Sequence, residues 1–99
     1  MRGVYFVDKG IKAFQKLKGG SIRCREMLTL LGELGFVVCD RGNAGHKIFY
    51  HQSLTELRGR FDCGHNEHSV IKKCYIRNIL RMIEESEDLL RILNGGNDD

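Results

Sequence analysis

No stretch of the sequence approaches the ~20 consecutive apolar residues that a transmembrane helix needs. The opening Met-Arg-Gly-Val-Tyr-Phe-Val-Asp carries a charge too early, and an apolar stretch too short, for a signal peptide. A cytoplasmic protein without a membrane segment is therefore expected. Proline is absent altogether, and there are no repeats or low-complexity segments, so nothing marks a linker between large domains. The four cysteines, Cys24, Cys39, Cys63 and Cys74, lie far apart with no Cys-x-x-Cys pair. Without a secretion signal, that spacing predicts free, partly buried thiols rather than a disulfide framework.

What is present is one domain's worth of chain, 99 residues, enough for a modest core. The net charge of +3 conceals a split: residues 1–83 carry 15 Lys/Arg against 7 Asp/Glu, whereas residues 84–99 carry one Arg against six acids. A basic body points to a polyanionic partner, and the acidic end either repels nucleic acid locally or keeps the terminus in solution. An ordinary soluble surface with uneven charge is the plainer alternative.

Local patterning divides the chain into a 1–20 extension, a 21–83 body and an 84–99 acidic helical tail. In the extension, Val4-Tyr5-Phe6-Val7 is a short apolar run. Asp8 is placed to cap a helix through about Lys18, with Ile11, Phe14 and Leu17 on one side and Gly19-Gly20 as its stop. Gly10, in the first turn, weakens that helix. Ser21 predicts the N-cap of a helix over 22–34, whose face is Cys24, Met27, Leu28, Leu31 and Leu34, with Gly35 ending it. Three strands follow, over 36–39, 47–51 and 59–63, separated by turn residues and best joined as an antiparallel meander. Ser69 predicts the cap of a last long helix from Val70, with Ile71, Cys74, Tyr75, Leu80 and Ile83 on its apolar side and Ile76 and Ile79 widening it. That helix either runs to Leu93 or breaks at Ser86, where Glu87 and Asp88 suit a new N-terminus. From Gly95 onward the chain should fray. The class is α+β, in the order α-β-β-β-α. Its three-stranded sheet is covered by helices on one face and open on the other.

Within this frame the stretch "DRGNAGHKIFYHQ" puts a histidine at the mouth of the second strand. Side chains alternate along a strand, so if Phe49 packs under the helices, His46 emerges on the open face with Ile48 and Tyr50. An imidazole, with an unperturbed pKa of ~6.5, both gives and takes protons near neutrality. RNA cleavage without a metal needs that ability. The 2′-OH loses a proton as it attacks phosphorus, the 5′ oxygen gains one on leaving, and nearby cations stabilise the charge between them. Arg41 and Lys47 are the adjacent cations. Taken alone, a histidine near basic residues reads first as a surface turn residue.

The stretch "MLTLLGELGFVVCDRGNAGHKIFYH", Met27 to His51, resembles the HicA family of bacterial toxins, which act as mRNA interferases. The resemblance rests on Leu31-Gly32-Glu33-Leu34-Gly35-Phe36 closing an amphipathic helix, on Ala44-Gly45-His46 in the loop, and on an aromatic, Phe49, three residues later. "FDCGHNEHSVIKKCYIRNIL", Phe61 to Leu80, is similar to the family's third strand, His-bearing loop and last helix. Over residues 21–83 the resemblance implies a fold like a double-stranded-RNA-binding domain. It also implies catalysis by one histidine, here His46, mRNA as substrate, no cofactor, and a HicB-type antitoxin protein as inhibitor. Ala44-Gly45 stands where the family has Gly-Ser, and Cys63-Gly64-His65 where it has Pro-His.

Arg58, Arg60, Lys72, Lys73 and Arg77 are further candidate phosphate contacts, alongside Arg41 and Lys47. A solvated helix face, with Arg81 on it too, explains the helical members equally well. Tyr50 either stacks on a base or simply covers the open sheet face. Cys63, His65 and His68, with Cys74 or Cys39, have a donor set zinc would accept, but the spacing matches no standard finger. A polar loop is the stronger reading there, with His65 near RNA or the antitoxin, and His51 reads as structural or surface. Two other functions remain open: an RNA-binding module without catalysis, and a protein-interaction domain using the open face.

Overall fold

The computed structural model describes residues 2–42 and 45–95, with side chains from Lys9 onward. In chain order the elements are α1 (Arg2–Lys18), α2 (Cys24–Glu33), β1 (Phe36–Asp40), β2 (His46–His51), β3 (Arg58–Asp62), α3 (Lys73–Glu84) and α4 (Glu87–Leu93). The expected α-β-β-β-α order is α2 to α3, with a helix added at each end. Fraying beyond Gly95 falls on residues 96–99, outside the described residues.

The sheet has the order β1-β2-β3, antiparallel throughout. Phe36, Phe49 and Phe61 are buried on its inner face. Phe36 meets Phe49 edge-on with ring centroids 5.3 Å apart, and Phe61 lies 6.1 Å beyond. Gly59 sits opposite Phe49, where a Cβ would lie 2.7 Å from the ring; glycine lets the ring occupy the middle of the sheet. Helices close over these rings through Met27, Leu30, Leu31, Ile76, Ile79 and Ile83, all buried. By area, each such aliphatic side chain contributes roughly 1.5–3 kcal/mol when fully buried.

Several expectations are corrected. α1 is one helix from Arg2, not a short run followed by a helix capped at Asp8. It joins the same core through Ala13 and Leu17 and packs against α2, α3 and α4. Gly10 is buried where Leu93 of α4 crosses; a Cβ there would stand 2.6 Å from the leucine's Cδ2. The residue that weakens the helix locally makes room for its neighbour. The chain does break at Ser86, whose Oγ accepts the Leu89 amide at 3.1 Å, and α4 buries Leu89 and Leu93. The acidic segment is thus part of the packed body through Leu93.

Neither Ser21 nor Ser69 caps a helix. α2 begins after Arg23 and α3 after Lys72, both without side-chain caps. The orphan amides of a helix start need acceptors, and here a distant segment supplies them. Cys24 N–H donates to the Ser69 carbonyl at 2.8 Å and Arg25 N–H to the Glu67 carbonyl at 2.9 Å, while Ile71 N–H donates to the Ile22 carbonyl at 2.8 Å.

That junction also overturns the free-thiol expectation. Cys24 and Cys63 form a disulfide, with Cα atoms 5.2 Å apart and a separation of 39 positions in sequence. Cys39 and Cys74 are free and exposed, so Cys74 is not on the buried side of α3. Among the described residues no helix is long and apolar enough to cross a membrane.

Candidate active site

His46 is the first residue of β2, and backbone geometry places it there. The Arg41 amide donates to the His46 carbonyl at 2.9 Å, closing the hairpin. On the other side, the Cys63 amide donates to the Gly45 carbonyl at 2.9 Å. Gly45 (φ +82°) and Gly64 (φ +67°) both use the left-handed region, and a Cβ on Gly45 would collide with the Gly64 carbonyl oxygen. A serine before the histidine therefore has no room. Ala44 lies outside the described residues.

The His46 side chain is 60 % exposed, on the open face as alternation requires. Its Cα partner in β3 is Asp62, whose Oδ2 lies 3.6 Å from His46 Nδ1. That is beyond hydrogen-bond length but within reach of a charge contact with an imidazolium. Asp62 Oδ1 is meanwhile held by the Gly64 amide at 2.8 Å. With Nδ1 turned toward the carboxylate, Nε2 is the nitrogen left for a substrate. In the sequence Asp62 stands out only as part of a strand. Extending the β2–β3 pairing by register would have found it, since it falls opposite His46.

A cleft of about 510 Å³ includes His46, Arg41, Lys47, Ile48, Arg60 and Tyr75 in its walls. Arg41 and Arg60 are exposed and pair with no carboxylate among the described residues, so their guanidinium groups are available to an anion. Arg58, further along β3, is tied by Nε and Nη2 to the Thr55 carbonyl.

Lys47 also lines this cleft, although its ammonium is engaged elsewhere. Adjacent strand residues face opposite ways, and Lys47 lies on the Phe49 side, where its ammonium contacts the Asp40 carboxylate. Lys72, Lys73 and Arg77 are exposed on or beside α3 in the helical layer, and none lines the cleft of His46. His65 is exposed in the loop after Gly64, and the His68 carbonyl accepts from Arg23 at 2.7 Å. Cys63 is committed to the disulfide, and among the described residues no three His, Cys, Asp or Glu side chains group to hold a metal.

His51 is structural. It is buried, edge-on to Phe36 at 5.1 Å, and its Nδ1 accepts the amides of Ser53 and Leu54, each at 3.1 Å. Burial lowers its pKa below the ordinary 6.5, with the Leu34 backbone and the Glu56 carboxylate opposing the shift. Gly35, at φ +97°, leaves room for the ring: a Cβ there would stand 2.6 Å from Nε2.

No protein family, curated protein or solved structure matches the chain.

Proposed function

We propose that this protein is a ribonuclease of the HicA type that cleaves single-stranded mRNA, with His46 as its general acid and base. The observation that carries the reading is the exposed imidazole sharing one cleft with two guanidinium groups, Arg41 and Arg60, that pair with no carboxylate among the described residues. The cations would hold the phosphate and stabilise charge on its oxygens. Nε2 would take the 2′-OH proton as that oxygen attacks phosphorus. The imidazolium, stabilised by Asp62, would return a proton to the departing 5′ oxygen, leaving a cyclic phosphate and a free 5′-hydroxyl. The chain's own residues balance this step, and no cofactor enters it.

The same reading carries a HicB-type antitoxin as partner, covering the open face, and a cytoplasmic place of action. Expressing the intact chain in bacteria tests it: growth should arrest, and His46→Ala should abolish the arrest. Equal arrest by both chains removes His46 as the catalyst.

A further inference from the structure

Beyond His46 the open face continues into a second cleft, of about 630 Å³, walled by Arg41, Ile48, Tyr50, Thr55, Arg58 and Arg60. Arg41, Ile48 and Arg60 belong to both clefts, so the two form one path along β2. His46, Ile48 and Tyr50 are alternate residues of that strand. At ~3.4 Å per residue, Tyr50 lies about 14 Å from His46. Tyr50 is among the few large apolar side chains left exposed, at 38 %. Its Cα partner is Arg58, whose guanidinium is already fixed by the Thr55 carbonyl. An open phenol ring beside an immobilised guanidinium plane is a surface on which an unstacked base can lie. The side chains of this face include three arginines and, as an opposing charge, Asp62, which suits a polyanion better than a protein rim of mixed sign.

We propose that the Tyr50 cleft is a stacking subsite for a nucleobase flanking the cleaved linkage, so that the substrate is a single strand laid along β2 from His46 toward Tyr50. This rests on the ribonuclease reading and adds to it a base-stacking site and the path of the strand. A duplex keeps its base faces stacked away from such a platform, so the subsite selects unpaired RNA.

The test is equilibrium binding of an unstructured oligoribonucleotide to the full chain carrying His46→Ala, which leaves the probe uncut. In that background Tyr50→Ala should weaken binding roughly tenfold. Tyr50→Phe should bind as before, and Arg60→Gln should lower the salt dependence. A duplex of the same sequence should be indifferent to Tyr50→Ala. Undiminished single-strand binding by Tyr50→Ala overturns the subsite while leaving the nuclease reading to stand on cleavage by the intact chain. Tyr50→Ala impairing capture of a protein partner but not of RNA also overturns it. No RNA bound by His46→Ala, together with no cleavage by the intact chain, removes both proposals.

Discussion

Asp62 stands directly across the β2–β3 ladder from His46, one carboxylate oxygen 3.6 Å from Nδ1 and the other held by the Gly64 amide. The carboxylate is thereby fixed from behind while it faces the imidazole. Both side chains are partly exposed, so solvent limits the pair to under about 1 kcal/mol. At 1.36 kcal/mol per factor of ten, Asp62→Asn should lower kcat for RNA cleavage by no more than about fivefold. KM should not change, because asparagine's oxygen still accepts from Gly64. A loss of several hundredfold would give Asp62 a direct part in the chemistry instead.

Gly45→Ser would place a hydroxyl immediately before His46. It should impair the chain, because position 45 has φ +82° and abuts the Gly64 backbone. Strain of this kind costs about 1–3 kcal/mol. Thermal unfolding should show a lower Tm, and cleavage should slow as the histidine shifts. A variant as stable as the parent would remove the steric account of Gly45.

The Cys24–Cys63 bridge closes a loop of 39 residues. Chain-entropy arithmetic for a loop of that length gives about 4 kcal/mol of stability. Urea unfolding with and without a dithiol reductant should differ by up to that amount. Unreduced, native protein should react at Cys39 and Cys74 alone with a thiol reagent. Structural disulfides are rare in reducing cytosol, so labelling in freshly lysed cells also bears on the site of action. Labelling of all four cysteines there would mean that the working form is the dithiol.

His51 couples the β2 end to pH. Its folded pKa lies below 6.5, so as pH falls the unfolded chain takes up the proton first. Its contribution is complete above pH 6.5 and is lost as pH drops from there toward the folded value. His51→Ala should cost about 2 kcal/mol near pH 8, where the Ser53 and Leu54 amides lose their acceptor. That deficit should shrink near pH 5. Denaturant titrations at the two values decide it, and a deficit that grows with acid would contradict the neutral-ring account.

The strands were legible in the sequence because each has its own alternation and turn residues. The observed bounds fall within a residue of those expected, and Phe49 and His46 take opposite faces as predicted. Lys47 takes the strand face opposite to His46, yet it lines the same cleft with its ammonium on Asp40. The helix caps and the disulfide were hidden for one shared reason. Residues 67–71 pair with 22–25 across more than forty positions, and that pairing both supplies the acceptors at the start of α2 and helps place Cys24 against Cys63. No local pattern encodes such a contact. Gly10 was misjudged likewise, since its value lies in Leu93, a residue at the far end of the chain. The Arg41–Arg60–His46 grouping was only half visible. Each residue was singled out, but their common cleft depends on the register between strands.

The most direct measurement is the rate at which purified protein cleaves single-stranded RNA in the presence of a metal chelator, compared with His46→Ala. A positioned acid–base group contributes ~10²–10⁴-fold, so the substitution should slow cleavage by that factor without altering the fold. Equal rates for the two chains, or no cleavage by the intact one, would contradict the account.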